Sequence, residues 1–323
     1  MSKDKITTVV LNWNGMQDTL ECLSSLQKAP HFQTIVVDNG SSDNSCQAIS
    51  SAFPNVILIQ TGKNLGYAEG NNVGIRRALN EGADWIFLLN NDTVVDPEIF
   101  TRFLEEKDAE ILGACPFLYS RPDRIDHIGG IWDAKKGTFA LVGKEKKREE
   151  ISSFDVDYVT GCGILIKRSV FETIGLLDAR FFLFWEEADF CFRAKHSGFK
   201  VKSCREAKLW HKVSASFTGG KPHIAYFWWR NRLLWIEKNS PPKEKIFLFY
   251  KILFREFFHQ YKLQLLKGLQ YSLIHRFKND RWKSEKEGKL RQYRSSVQGV
   301  KDYLLRKFGN GPAWIYGPSK FRQ

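Results

Sequence analysis

Several polar stretches in this sequence have the residue types and spacing of chemical sites. Residues 85–97, WIFLLNNDTVVDP, run from an apolar segment, Trp85 to Leu89, straight into Asn90, Asn91 and Asp92. The apolar part has the length and composition of a buried parallel strand. A carboxylate at its end suits a cation or a polar ligand, because ligands of open α/β sheets bind beyond the carboxyl ends of the strands. In isolation, a polar turn in which Asn and Asp bond their own backbone explains the stretch as well. FWEEADF, residues 184–190, places Glu186, Glu187 and Asp189 at a helix start. Glu186 and Glu187 point in different directions on any helix, so one can face a cleft while the other caps or pairs. Beside Phe184 and Trp185, such a carboxylate suits a general base with a raised pKa; a solvated acidic helix start is the alternative.

Asp38 closes TIVVD, where it can accept hydrogen bonds from the base or ribose of a nucleotide. The turn that follows, NGSSD, leads into a helix whose first N–H groups suit an anion; singly, Asp38 and Asp43 are a turn residue and an N-cap. KNLGYAEGNNVGIRRAL carries Gly66 and Gly70 with the amides of Asn64, Asn71 and Asn72. It is neither a Walker loop nor G-x-G-x-x-G, and by itself it reads as an ordinary loop and helix start. His211, in KLWHKVS, gains chemical meaning only if Asp92 holds a metal, since one carboxylate and a diphosphate leave coordination positions open.

These residues need a scaffold. The first 115 residues alternate strand patterns (ITTVVLNWN, TIVVD, NVILIQ, DWIFLLNND) with helical ones, which predicts a mainly parallel sheet with helices on both faces. Right-handed crossovers then bring the polar strand ends Asn12-Trp13-Asn14, Asp38-Asn39 and Asn90-Asn91-Asp92 to one edge. Residues 116–157 read as irregular and polar, with the charged run GKEKKREE as a solvated loop. VDYVTGCGILIKR is a strand with a Gly kink before a helix, and a further strand is expected around Lys200–Cys204. From residue 223 onward the chain is helical, aromatic-rich and basic. The domain division expected is therefore 1–222, an α/β domain carrying these polar strand ends, and 223–323, a helical C-terminal region.

The 323 residues carry a formal net charge of +13, unevenly spread. Residues 1–220 hold 26 Lys and Arg against 29 Asp and Glu, whereas residues 221–323 hold 23 against 7. The six cysteines lack a CxxC pair, which points to reduced thiols and a cytosolic protein. The N-terminal residues show no signal-peptide pattern, and charges interrupt every apolar stretch before it reaches a membrane-spanning length.

Taken together, VVLNWNG, VVDNGSSD, NLGYAEGNN, FLLNNDT, GCGILIKR, FWEEADFCFR and WHKVSAS resemble, in one consistent order over roughly residues 5–235, the family 2 inverting glycosyltransferases. The subgroup most similar is the bacterial rhamnosyl- and galactofuranosyltransferases of cell-surface polysaccharide assembly. The resemblance implies a Rossmann-like, GT-A-type α/β fold with a C-terminal helical extension. It also implies a nucleoside-diphosphate sugar donor (dTDP-rhamnose or a UDP-sugar), a glycan or lipid-linked acceptor, and Mg2+ or Mn2+. By the resemblance Asp38 binds base and ribose, with Asn12, Asn64, Asn71 and Asn91 also on the nucleotide. Asn90-Asn91-Asp92 stands for the D-x-D element, with Asn90 in place of its first aspartate, so that Asp92 is the metal ligand and His211 completes the coordination. Glu187 matches the catalytic base, where Asp is commoner. Gly161, Glu186, Asp189, Arg230 and Asn231 are implied on the side of the donor sugar, diphosphate or acceptor. An inactive sugar-nucleotide-binding scaffold and a nucleotidyltransferase are the rival readings. The latter normally has a Gly- and Lys/Arg-rich loop after the first strand, which LNWNGMQDTL does not show.

The basic, aromatic tail also suits nucleic acid. Aromatic and leucine positions at helical spacing (Tyr250, Phe254, Phe257, Tyr261, Leu265, Leu269), interleaved with Lys and Arg, favour an anionic membrane surface instead, and no nucleic-acid partner is expected. The expected location is the cytoplasm, peripheral on the inner face of the cell membrane. A helical layer packed on the catalytic domain, or on a second subunit to make a homodimer, is the alternative.

Overall fold

The computed structural model describes residues 4–30, 32–213 and 221–316, which divide into two compact units. The first comprises residues 1–133, 139–182 and 186–213, and the second residues 134–138, 183–185 and 214–323.

The first unit begins with the expected alternation: β1 (Ile6–Asn12), α1 (Met16–Leu26), β2 (Gln33–Asp38), α2 (Ser45–Ala52), β3 (Ile57–Gln60), α3 (Gly66–Asn80) and β4 (Trp85–Asn90). After β4 come β5 (Thr93–Val95), α4 (Ile99–Glu105) and β6 (Ile111–Leu118), followed by the short strands β7 (Arg121–Ile125), β8 (Gly129–Asp133), β9 (Thr138–Leu141) and β10 (Tyr158–Val159). The unit closes with β11 (Gly163–Lys167), α5 (Arg168–Ile174), α6 (Glu186–His196) and β12 (Val201–His211).

Among the described residues the main sheet has nine strands, in the order β3-β2-β1-β4-β11-β6-β12-β5 with β7 added on β6. β3, β2, β1 and β4 are mutually parallel. β11 runs antiparallel between β4 and β6, while β12 is parallel to β6 and antiparallel to β5. Both faces are covered. Ile6, Val10, Val36, Phe87 and Leu89 pack against Leu23 and Leu26 of α1, Ile49 of α2 and Phe100 and Phe103 of α4 in one buried cluster. Each fully buried side chain of this size contributes about 1.5–3 kcal/mol. On the opposite face α3 lies unusually close to β1, because a Cβ at Gly74 would sit 2.4 Å from Val9 Cγ1. Gly70 and Gly74 of NLGYAEGNNVG thus serve helix–sheet packing: α3 already begins at Gly66, so both lie inside it.

Residues 116–157 are more ordered than their sequence predicts. β6 continues to Leu118, and β8 forms a second, three-stranded sheet with β9 and β10. The strands are short, and β7 (RPDRI) exposes its first three residues, so no alternating apolar pattern advertises them. The strand expected around Lys200–Cys204 extends to His211, with a register break between Ser203 and Lys208.

The second unit is helical, as read: α7 (Pro222–Asn239), α8 (Pro242–Tyr250), a π-helical stretch (Lys251–Glu256), α9 (Phe257–Ile274) and α10 (Asp280–Leu304). Proline opens α7 and α8, where a missing N–H costs nothing, and the Asn279 side chain caps α10 by accepting from Trp282 N. α10 packs tightly on α7; a Cβ at Gly299 would meet Tyr226 O at 2.4 Å, and Tyr226 Oη donates to Asp302 at 2.7 Å.

Candidate active site

The sheet register makes the tip of β4 a meeting point. Asn12 of β1 is level with Asp38 of β2, and Leu11 is level with Asn90 of β4, so the three polar strand ends share one edge. There they form a connected network. Asn12 Nδ2 donates to Asp38 Oδ1 (2.8 Å) and to Ser41 Oγ (3.1 Å), while Ser41 N donates to Asp38 Oδ2 (3.0 Å). Thr19 Oγ1 donates to Asn12 Oδ1 (2.7 Å), and Asn91 Nδ2 donates to Thr19 Oγ1 (2.9 Å). Gly15 makes room for this, since a Cβ there would lie 2.4 Å from Asn91 Nδ2. Buried polar groups satisfied in this way hold one geometry.

On the other side of β4, Asn90 N donates to Cys162 O at 3.1 Å, so the start of β11 abuts the same tip. The Gly161 carbonyl accepts from Tyr67 Oη at 2.7 Å. A Cβ added at Gly161 would lie 3.6 Å from both Glu187 Oε1 and Tyr67 Oη, which places the half-buried Glu187 against the β4–β11 corner. Burial first, and then the charges of Glu186 and Glu187, push the Tyr67 hydroxyl well above its ordinary pKa, so it stays a donor.

Below the tip, β5 pairs with β12 with Thr93 level with His211, and Lys212 N donates to Asp92 O at 2.9 Å. His211 is held between two carboxylates. Its Nδ1 bonds Asp126 Oδ2 at 2.9 Å, and its Nε2 stands 3.3 Å from Asp92 Oδ1. That second approach is too poorly aligned to satisfy Nε2, which is a buried nitrogen without a hydrogen-bond partner. Burial opposes protonation of the ring, but Asp126 and Asp92 together outweigh it and raise its pKa to about 9. Lys212, paired with Asp18 and Glu21 of α1, fixes the end of β12.

These residues fit a divalent cation. Asp92 offers oxygen, and His211 offers a nitrogen oriented by Asp126 on its far side, the arrangement in which an outer carboxylate sets the tautomer and aim of a ligating imidazole. Among the described residues there is no group of three or more such side chains, so two protein donors would leave further positions to diphosphate and water, as Mg2+ commonly requires.

The two adjacent acids differ in environment. Glu186 is only 3% exposed, and its Oε2 lacks a hydrogen-bond partner among the described residues. Burial and the neighbouring Glu187 hold its carboxyl well above the usual carboxylate range. The folded state therefore keeps this proton to a higher pH than the unfolded state does. Stability contributed by the neutral acid is present at low pH and is lost as pH rises beyond the unperturbed value of about 4.3. Glu186→Gln removes that loss: its melting temperature should equal or exceed the parent's at pH 8 and vary less with pH. A steeper decline of melting temperature with pH in the variant would contradict this assignment. The helix bearing both acids follows backbone held at positive φ in Phe182 (64°), Phe184 (68°) and Trp185 (77°). Non-glycine residues in that region store strain, which surrounding structure must hold in place.

Other expected site residues have structural roles. Asp189 is fully buried and pairs with Arg193 (2.9 Å), which also donates to Ile174 O and Leu176 O, so it braces α6. Asn71 lies within α3 and donates back to Tyr67 O at 2.9 Å. Asn64 Oδ1 accepts from Gly66 N and Asn39 Nδ2, closing the turn before α3. Arg230 and Asn231, both 0% exposed, are engaged inside the second unit instead of reaching outward. Arg230 donates to Asn231 Oδ1 and Gly309 O, with its guanidinium over the rings of Tyr226, Phe227 and Phe308. Asn231 Nδ2 donates to the carbonyls of Leu183 and Phe184. Conversely, Tyr67, Thr19, Ser41 and Asp126 join the site without having been singled out in the sequence. Asp126 sits in the stretch read as irregular, and its role depends on β6–β7 geometry that no local pattern signals.

Residues 7–175 match the model of glycosyl transferase family 2. The chain is 28% identical over 239 residues to the low-salt glycan biosynthesis hexosyltransferase Agl10 of Haloferax volcanii, covering 72% of this chain and 75% of that protein. It is 25% identical to the dTDP-rhamnosyl transferase RfbF of Shigella flexneri (73% and 81% covered). It is 27% identical to the N-acetylglucosaminyl-diphospho-decaprenol L-rhamnosyltransferase of Mycobacterium tuberculosis (73% and 90% covered). A mannosyltransferase from Pyrobaculum calidifontis, solved with GDP-Man and Mn2+, superposes with a TM-score of 0.56 at 11% identity, covering 95% of this chain and 89% of that one. The fold is of the GT-A type, a mostly parallel sheet flanked by helices with a helical C-terminal region. With more than half of its length matched by the family model, the chain belongs to glycosyltransferase family 2 and is a glycosyltransferase.

Proposed function

We propose that this chain is an inverting, metal-dependent hexosyltransferase that moves a sugar from a nucleoside-diphosphate donor to a hydroxyl of a glycan or lipid-linked acceptor. The observation that carries this reading is the convergence at the tip of β4: Asn12, Asp38 and Asn91 on one flank, Glu187 beside Gly161 on the other, and the Asp92–His211 pair below. On this reading Asp38, held by Asn12 and Ser41, receives the nucleoside, while Asp92 and His211 hold Mg2+ or Mn2+ at the diphosphate. The bound cation would neutralise charge on the departing nucleoside diphosphate. Glu187 takes the proton of the acceptor hydroxyl as its oxygen bonds to C1 and the bond from C1 to the diphosphate breaks, which inverts the anomeric centre in one displacement.

The relatives named for dTDP-rhamnosyl transfer and for rhamnosyl transfer involving N-acetylglucosaminyl-diphospho-decaprenol favour dTDP-rhamnose as the donor and a lipid-linked acceptor. A thermal-shift screen of nucleoside diphosphates and their sugars, with and without Mn2+, tests the reading. One base should raise the melting temperature, and more so with the metal, because a ligand that binds the folded state stabilises it by mass action. If no nucleoside diphosphate or sugar nucleotide stabilises the protein under either condition, the proposal fails.

A further inference from the structure

The second unit presents an apolar stripe that its own core does not use. α8, the π-helical stretch and α9 run without interruption from Pro242 to Ile274. Along them Phe254 (69% exposed), Phe258 (65%), Tyr261 (38%), Leu265 (54%), Leu269 (61%) and Leu273 (67%) recur every three or four residues. That is the period of one helix face, and it spans about 28 Å. The opposite face of α9 is turned to α10: Tyr271 stacks on Trp282 and donates to Glu287, and Gly268 lies under Leu290. The stripe therefore points outward. An exposed apolar surface of this extent marks an interaction site rather than ordinary surface scatter.

Charge identifies the partner. Residues 242–277 contain seven Lys and Arg but only two acidic residues, Glu244 and Glu256. Both acids are committed locally, Glu244 to Ser240 and Glu256 to Arg232 and Lys251. Arg255 and Lys262 each directly follow a stripe residue in sequence, so they stand about 100° around the helix and flank the apolar face. Both are exposed, as are Lys267 and Arg276. Among the described residues no helix is long and apolar enough to cross a membrane. An apolar face rimmed by cations, on a helix that does not span, is the construction of an interfacial helix on anionic lipid. A second copy of this chain would bring one basic rim against another, a repulsive arrangement.

We propose that the Phe254–Leu273 face of the second unit docks in the plane of an anionic lipid bilayer, with its aromatic and leucine side chains in the interface and its cations at the headgroups. The inference stands apart from the catalytic reading, since nucleotide binding and vesicle binding are measured separately.

The test is co-sedimentation of the full-length protein with vesicles of phosphatidylglycerol and phosphatidylcholine, or of phosphatidylcholine alone, over a salt series. Binding to the anionic vesicles should exceed binding to the neutral ones by roughly tenfold or more at low salt, and should fade as salt shortens the screening length. Phe258→Ser with Leu265→Ser, and separately Arg255→Glu with Lys262→Glu, should each reduce binding roughly tenfold. These positions are exposed, so melting temperatures should stay at the parent value, and nucleotide-induced thermal shifts should persist. Equal binding to both vesicle types, no binding to either, or full retention of binding in both double variants would overturn the proposal. Sedimentation velocity adds a further arm: a stable dimer that becomes monomeric in Phe258→Ser/Leu265→Ser would assign the stripe to self-association instead.

Discussion

Glu187→Gln should lower turnover by roughly 10²–10⁴-fold while donor affinity stays at the parent level. The amide is nearly isosteric with the carboxylate but cannot accept the acceptor's proton, so the loss falls on the chemical step. The half-buried Glu187 lies against Gly161 at the corner shared by β4 and β11, which on the proposed reading is where an acceptor hydroxyl would meet the donor. Glu186→Gln is the internal control. Glu186 is buried, with its carboxyl held above the usual carboxylate range by burial and by Glu187, so replacing it by an amide should leave turnover within a few-fold of the parent. Single-turnover rates with the donor in excess, read beside donor affinity by calorimetry, separate the cases. An active Glu187→Gln together with a dead Glu186→Gln would assign the base to the other acid. Activity in both would remove the acid pair from the chemistry altogether.

Asp92→Ala should abolish the metal-dependent part of nucleoside diphosphate binding while the fold is retained. The carboxylate closes an apolar strand, is 5% exposed, and faces a histidine nitrogen that has no hydrogen bond of its own. Removing it takes away the site's oxygen donor and leaves His211 oriented by Asp126 alone. The strand ends should survive, because Lys212 N bonds the Asp92 main-chain carbonyl, which the substitution preserves. Calorimetric titration of nucleoside diphosphate with and without Mn2+ measures the effect. Unchanged affinity in the presence of metal would refute a ligand role for Asp92. Asp126→Asn offers a graded comparison: an outer partner of a ligating histidine is typically worth 10–100-fold in metal affinity, so its loss should be smaller than that of Asp92→Ala.

What could be read from the amino-acid order was whatever is local in period and abrupt in polarity. The βα alternation of the first 115 residues, the buried strand Trp85–Leu89 and the basic helical tail are patterns of period 2 or 3.6, or simple runs, and each stands in the structure as an element. The clustering of Asn12, Asp38 and Asp92 at one edge was also legible, because parallel strands joined by right-handed crossovers put their carboxyl ends on the same side. His211 and Glu187 could be singled out, but their neighbours could not. Asp126 on His211 Nδ1 and Tyr67 on the Gly161 carbonyl are 85 and 94 residues away in sequence, and such contacts arise from the registers of β12 on β6 and β11 on β4. The same limit explains Asp189, Arg230 and Asn231. Their residue types suit a ligand, but whether a charge faces a cleft or a buried partner depends on which way its helix is rotated and what packs there. Tertiary structure made that decision by burying all three completely, since a buried ion or amide must find its partners inside the protein. It likewise left Phe257 half-buried and Phe254 and Phe258 exposed, a difference that identical residue types in one run do not reveal.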